Sequence, residues 1–145
     1  MSHDIFLNRV VGSEKSVCSP QEAQACVDLL RSINSDKLDE FNFLRLEFQD
    51  GSTVEISIWE DATAITGCAF YMRGLSKPLI EFIFDMSLAG NFVILDSSGT
   101  DNIDDSRGPL AIMTSPETLN EVGPNIFKHP RLCESVPELA EIFGI

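Results

Sequence analysis

The feature that most constrains this fold is a pair of short runs in which apolar and polar residues strictly alternate. One run covers residues 44–48 and the other residues 54–58, with the turn-forming residues Asp50-Gly51-Ser52 between them. Alternation with a period of two is typical of a strand that buries one face. The pattern therefore predicts a hairpin of an antiparallel sheet with one covered face. Its apolar residues are Leu44, Leu46, Phe48, Val54, Ile56 and Ile58.

The register of the hairpin follows from keeping these apolar residues on one face. A two-residue loop at Asp50-Gly51 would place Leu46 opposite Glu55 and mix the two faces. A three-residue loop from Asp50 to Ser52 keeps the apolar face intact, so it is the predicted loop. The predicted pairs are Phe48 with Val54, Leu46 with Ile56 and Leu44 with Ile58 on the apolar face, and Phe43 with Trp59, Arg45 with Ser57 and Glu47 with Glu55 on the other.

Four helices are indicated by residues that favour helix ends. Ser19-Pro20-Gln21-Glu22 predicts a capped start, followed by an apolar stripe of Ala23, Cys26, Val27, Leu30 and Ile33. The second helix is expected from Ser76-Lys77-Pro78 to Gly90-Asn91, and its nearly continuous apolar composition predicts that it is the most buried helix. The third is expected from Ser115-Pro116-Glu117 to Gly123-Pro124, and the fourth from Val136-Pro137-Glu138 to Gly144.

Three further strands are predicted over Ala62–Thr66, Phe92–Asp96 and Leu110–Thr114. Because strands and helices alternate irregularly, the expected class is α+β. We expect a mainly antiparallel sheet of about five strands, with a central hairpin and three to four packed helices. The 145 residues fit one domain, residues 1–145.

Charge is the feature of this sequence that bears most on function. The chain has 23 acidic residues against 10 Lys and Arg, a formal net charge of −13. Residues 36–61 hold eight acids against two bases, and residues 96–106 hold four acids and no base. A chain with so few cations is unsuited to nucleic acid or an anionic membrane. The expected partner is a basic or neutral protein.

The hairpin carries the first candidate partner-binding site. An aromatic side chain beside several carboxylates could anchor and steer a basic partner. In the competing interpretation, Trp59 and Phe43 pack under the N-terminal segment and the glutamates are only solvated. The candidate residues are Glu47, Glu55, Trp59, Glu60 and Asp61.

A polar loop from Ser97 to Pro109 carries the second candidate site, formed by Asp101, Asp104 and Asp105. Two interpretations stay open, a plain solvated loop and an acidic loop that forms a second contact with the partner. The loop lacks the acid spacing, the sixth-position glycine and the final glutamate of an EF-hand, so no calcium site is predicted.

No catalytic or cofactor-binding pattern is present in the sequence. His129 and Cys133 are four residues apart, but Pro130 lies between them, which argues against a shared helical face. The four cysteines include no C-x-x-C pair, and phosphate-binding or nucleophile-elbow motifs are absent. We therefore predict a non-enzymatic protein without a metal or cofactor, with free and mostly buried thiols.

The remaining profile is a small acidic domain with no secretory signal pattern and no apolar run long enough to span a membrane, so a cytoplasmic location is expected. In size and composition it resembles the immunity proteins and antitoxins with which bacteria neutralise toxic enzymes. That resemblance implies a partner that is a toxin and a mechanism of occlusion. Two alternatives stay open: an adaptor or chaperone for a secreted protein or complex, using an apolar groove on the helix Leu79–Met86, and a small ligand-binding domain.

Overall fold

The structure, a computed structural model, describes residues 3–12, 14–32, 43–61, 64–72, 74–96, 110–122 and 130–143. These residues form an α+β fold with four helices and a seven-stranded, mostly antiparallel sheet, which confirms the predicted class. The strands are β1 (His3–Asn8), β2 (Val10–Val11), β3 (Glu14–Lys15), β4 (Phe43–Glu47), β5 (Thr53–Asp61), β6 (Ala64–Met72), β7 (Val93–Asp96), β8 (Leu110–Met113) and β9 (Pro130–Leu132). The helices are α1 (Pro20–Ser32), α2 (Lys77–Gly90), α3 (Pro116–Val122) and α4 (Val136–Ile142).

The main sheet has the strand order β4-β5-β6-β1-β7-β8-β9. Its neighbours are antiparallel except β8 and β9, which run parallel. Strands β2 and β3 form a separate two-stranded ribbon. The hairpin β4–β5 therefore lies at one edge of the sheet, and not at its centre as the sequence predicted.

The helix boundaries agree with the predictions because their signals are local. The Ser19 hydroxyl accepts a hydrogen bond from the Glu22 backbone N–H, and the Glu22 carboxylate accepts one from the Ser19 N–H. The hydroxyls of Ser76 and Ser135 likewise accept hydrogen bonds from the Leu79 and Glu138 N–H groups and cap α2 and α4, each with proline in the first turn. Helix α2 ends at Asn91, whose φ of 56° lies in the left-handed region.

The core lies on one face of the sheet, beneath α1, α2 and α4. Helix α2 is the most buried helix, as expected from its composition, because its residues Leu79, Ile80 and Ile83 are fully buried against the sheet. A smaller cluster of Val10, Val93, Ala111, Met113 and Val122 lies on the opposite face, where α3 packs.

The predicted hairpin register is wrong by two residues. The structure pairs Leu46 with Val54 and Leu44 with Ile56, so Leu46 does not face Ile56. The loop does contain three residues, but they are Gln49, Asp50 and Gly51, closed by a 2.9 Å hydrogen bond from the Phe48 N–H to the Ser52 carbonyl. The cause is Gly51, whose φ of 86° occupies the left-handed position that ends a three-residue hairpin loop.

The shift keeps the apolar face but changes every pair on the other face. Phe43 faces Ser57 instead of Trp59, Arg45 faces Glu55, and Glu47 faces Thr53. The predicted Glu47–Glu55 and Arg45–Ser57 pairs are therefore absent. An opposite-charge pair replaces the unfavourable pair of like charges.

Two strands of the main sheet were not predicted from the sequence. Strand β1 lies in the sheet interior between β6 and β7, and β9 forms the edge beyond β8. The strand predicted over Ala62–Thr66 runs instead from Ala64 to Met72, and Ala62 lies outside the described residues.

Candidate functional site

The first group of predicted site residues lies on the sheet face opposite the main core. Glu55 projects from this face, where its carboxylate lies 3.2 Å from the Arg45 guanidinium. Both side chains are well exposed, with 64% of Arg45 and 46% of Glu55 accessible, so this ion pair contributes little to stability. Glu47 is exposed on the same edge strand, opposite Thr53. The structure thus brings Glu47 and Glu55 to one surface, where Arg45 pairs with Glu55.

Trp59 has a different partner from the one predicted. Its ring stacks on Phe6 of β1, with ring centroids 5.9 Å apart and an interplanar angle of 22°. Both side chains are half-buried. The interpretation in which Trp59 packs against the N-terminal segment is therefore confirmed for this residue. The side chain of Phe43 lies outside the described residues.

Several predicted site residues have no described side chain. The backbone of Glu60 and Asp61 ends β5, with a register irregularity between Trp59 and Glu60, but their side chains are outside the described set. Asp101, Asp104 and Asp105 lie outside the described residues altogether, as does the whole of the predicted Ser97–Pro109 loop.

The structure reveals a further acidic surface that the sequence analysis did not assemble. A cleft of about 800 Å³ opens between the hairpin loop, the end of α1 and the first half of α2. We call it the acidic cleft, because its charged walls are Glu47, Asp50, Glu81 and Asp85, and none of its described lining residues is Lys or Arg. Its apolar lining is Leu29, Phe48, Pro78 and Phe82.

The aromatic lining of the acidic cleft is part of the main core. The rings of Phe48 and Phe82 meet edge to face with centroids 5.9 Å apart, and Phe82 contacts Phe70 similarly at 6.1 Å. Both lining phenylalanines are buried. Because these rings are held on two sides, the base of the cleft is preorganised.

A short chain of hydrogen bonds fixes the hairpin loop against α2. The Asp50 carboxylate accepts a bond from the Ser52 N–H at 2.9 Å and another from the Ser52 hydroxyl at 2.5 Å. The Ser52 hydroxyl also lies 2.9 Å from that of Ser76, the residue that caps α2. The position of Asp50 is therefore coupled to the start of the helix that carries Glu81 and Asp85.

Two carboxylates of the acidic cleft, Asp85 and Asp50, have opposite pKa shifts. Desolvation by burial, together with the nearby Glu81 carboxylate, raises the pKa of Asp85 above its ordinary value of 3.8. The hydrogen bonds from Ser52 lower the pKa of Asp50. A cation placed among these groups would offset the repulsion that raises the Asp85 pKa.

Sequence reasoning missed Glu81 and Asp85, although a signal was present. The two acids are four residues apart in α2, a spacing that places them on one helix face. They interrupt an otherwise apolar helix. The apolar composition of that helix predicted only that it is buried.

The thiols lack the properties of catalytic nucleophiles. Cys18, Cys26, Cys68 and Cys133 are free and buried. Burial raises the pKa of Cys18 to about 11 and that of Cys26 to about 12, so neither is a thiolate at neutral pH. His129, four residues before Cys133 in the chain, lies outside the described residues.

Two wider observations bear on the class of site. Within the described ranges, no three His, Cys, Asp or Glu side chains converge in a way that could hold a metal ion. Among the helices of those ranges, none combines the length and apolar character needed to cross a membrane.

A partly buried polar network around Arg9 was also not foreseen. The Arg9 guanidinium bonds to Glu22 at the start of α1 and to Glu121 of α3. The Glu121 carboxylate accepts a further bond of 3.0 Å from the Asn91 side chain at the end of α2. All of these groups have partners, so the network joins elements and does not form an open site.

Comparisons with protein-family models, with curated proteins and with solved structures found no match to this chain. The surfaces of the protein are therefore the guide to its function.

Proposed function

We propose that this protein is a small acidic cytoplasmic binding domain that neutralises a toxic enzyme by covering a basic surface, in the manner of an immunity protein or antitoxin. The observation that carries the proposal is the acidic cleft, which has four carboxylates, an apolar base and no cation among its described lining residues. Such a site favours a cationic side chain whose aliphatic stem can pack on Phe48 and Phe82.

Electrostatics support a basic partner over a neutral one. The net charge of −13 attracts a cationic surface over long range and accelerates encounter. The cleft then provides a local position where Lys or Arg would reduce the repulsion between Glu81 and Asp85. The hairpin residues Glu47 and Glu55 extend this negative surface across the sheet edge. We expect Trp59 to contribute through the surface it shares with Phe6.

The alternative role as an adaptor or chaperone loses the feature that motivated it. Its candidate groove was the apolar helix Leu79–Met86, and the apolar side chains of that segment are buried in the core. A small-ligand role has one supporting observation, the concave site around Asp85 with its raised pKa. The acidic cleft then predicts that such a ligand is a cation.

Affinity capture with matched charge variants tests the proposal. The wild type, Glu81→Lys/Asp85→Lys and Glu134→Lys/Glu141→Lys serve as baits in lysate of the source organism at about 50 and about 300 mM salt. The two variants change net charge equally, but only the first alters the cleft. We expect wild type and control to retain one basic protein stoichiometrically at low salt, and the cleft variant to bind it at least about tenfold more weakly.

Growth assays then separate neutralisation from simple binding. Expression of the captured partner alone should inhibit growth, and co-expression of the wild type or the control variant should relieve that inhibition, whereas the cleft variant should not. A harmless partner would contradict the immunity role and favour an adaptor. Equal capture by all three baits would contradict the assignment of the acidic cleft.

A further inference from the structure

The outer edge of strand β4 has no pairing partner among the described strands. Strand β4 is the last strand of the seven-stranded sheet on its side, and its only partner among the described strands is β5. The opposite edge is formed by the three-residue strand β9, which begins with a proline. Proline and short length protect an edge from further pairing, and β4 has neither protection.

The hairpin geometry shows which backbone groups of β4 face outward. The N–H and carbonyl of Phe48 point toward the loop partners Ser52 and Gly51. Since this direction alternates along an antiparallel strand, the backbone groups of Leu44 and Leu46 also point toward β5. Those of Arg45 and Glu47 therefore point away from the sheet, and both residues are exposed.

The side chains of this edge are complementary to themselves. If a second copy pairs antiparallel with Leu46 opposite Leu46, the Arg45 of each chain lies opposite the Glu47 of the other. Centring the pair on Arg45 or on Glu47 would instead oppose like charges. The same register places Leu44 opposite Phe48, so the apolar face continues across the junction. Arg45 and Glu47 would then exchange backbone hydrogen bonds as well, because both have outward-facing groups.

We propose that β4 pairs with the β4 of a second copy of this chain in this register, forming a symmetric dimer with one continuous sheet. The Arg45 guanidinium would lie between Glu55 of its own chain and Glu47 of the other. Such a twofold interface is isologous, the commonest arrangement in homo-oligomers. The dimer would present two acidic clefts.

The net charge sets the conditions under which the dimer should form. Two chains of −13 repel each other, and salt screens this long-range repulsion, since the Debye length falls from about 30 Å at 0.01 M to about 8 Å at 0.15 M. The backbone ladder is unaffected by screening, and the Arg45–Glu47 pairs act at short range, where salt screens them less than it screens the repulsion between distant charges. We therefore expect dimerisation to strengthen several-fold between these ionic strengths.

Sedimentation analysis of charge-swap variants tests the pairing. At about 0.15 M salt, the wild type should become dimeric as its concentration rises. Arg45→Glu and Glu47→Arg should each shift the chain to monomer, because each opposes like charges twice. The double variant Arg45→Glu/Glu47→Arg should dimerise again. Arg31→Glu and Glu134→Arg are exposed controls with the same changes in net charge, and they should behave as wild type.

Amide hydrogen exchange identifies the surface independently of the variants. The Arg45 and Glu47 amides should become protected as the protein concentration rises, whereas the Leu44 and Leu46 amides should be protected throughout. A wild type that remains monomeric, a dimer with unprotected Arg45 and Glu47 amides, or a double variant that fails to recover would each overturn the proposal. Protection of these amides only on adding another protein would assign the edge to that protein instead.

Discussion

At the scale of single residues, Asp50 and Asp85 show how one cleft can impose opposite effects on two identical side chains. Asp50 is stabilised as a carboxylate because Ser52 donates two hydrogen bonds to it. Asp85 is destabilised as a carboxylate because it is partly desolvated and lies near Glu81. The hydrogen bonds to Asp50 stabilise the fold, whereas a cation bound beside Asp85 would stabilise its carboxylate.

Asp85 should therefore lower the stability of the free protein at neutral pH. Because its folded pKa is raised, the folded state holds its proton more tightly than the unfolded state does. The free energy of unfolding should fall as pH rises from about 3.8 through the raised pKa. Asp85→Asn should raise the melting temperature at pH 7 and give no increase at about pH 3, where both forms are neutral.

Thermal melts across this pH range provide the measurement. Glu141→Gln, an exposed substitution with the same change in charge, is the control for general repulsion. If both variants raise the melting temperature equally, the effect belongs to net charge and not to the acidic cleft. The pH dependence due to Asp50 should have the opposite sign. Because hydrogen bonds from Ser52 lower its folded pKa, its contribution to the free energy of unfolding is lost as pH falls.

At the scale of elements, local chemistry determined which predictions succeeded. Helix ends were predictable because serine caps, prolines and the Asn91 position act within a few residues. The hairpin was predictable as an element, but its register depended on one backbone angle at Gly51. Strand β1 was missed because its run Ile5-Phe6-Leu7 has no alternation, and its pairing partners lie about 60 or more residues away along the chain.

Gly51 should prove more important to the hairpin than its exposed position suggests. A Cβ at this residue would meet no atom within 4 Å, so any cost must come from its φ of 86°. Gly51→Ala should destabilise the protein by about 1 kcal/mol. Gly74→Ala is a matched control, because Gly74 also has open space and lacks a left-handed φ.

Chemical denaturation of the two variants measures this difference. A loss in Gly51→Ala that Gly74→Ala does not show would support the structural register. Equal stability of the two variants would mean that residue 51 does not hold the left-handed conformation. The register of 44–48 against 54–58 would then need revision.

At the scale of the whole molecule, Arg9 connects elements from both faces of the sheet. Its guanidinium joins Glu22 of α1, which packs on the main core, to Glu121 of α3, which covers the opposite face. Arg9→Met should lower the free energy of unfolding by about 2 kcal/mol, less than for a fully buried pair because both carboxylates retain some exposure.

A double-mutant cycle tests this coupling. If the Arg9–Glu121 interaction is responsible, adding Glu121→Gln to Arg9→Met should cost less than Glu121→Gln costs in the wild type. Additive losses measured by denaturation would show that Arg9 acts through Glu22 or through packing of its aliphatic stem, and not through Glu121.

The candidate site was only partly predictable at this scale. The acidic hairpin was visible in the sequence because eight acids fall within residues 36–61. The acidic cleft was not visible in the sequence, because Asp50 of the loop and Asp85 of α2 are brought to one site only by the fold. The cross-strand pair predicted between Trp59 and Phe43 was wrong, whereas the alternative in which Trp59 packs against the N-terminal segment was right, because its ring stacks on Phe6.

The interior position of β1 has a consequence for the order in which this protein forms during synthesis. Strand β1 leaves the ribosome before the other strands, yet it pairs with β6 on one side and β7 on the other. The hairpins β4–β5 and β5–β6 can assemble early from neighbouring segments, but the two halves of the sheet unite only through β1. Nascent chains halted before residue 96 should therefore hold an apolar strand without its full set of partners, and would be substrates for chaperones.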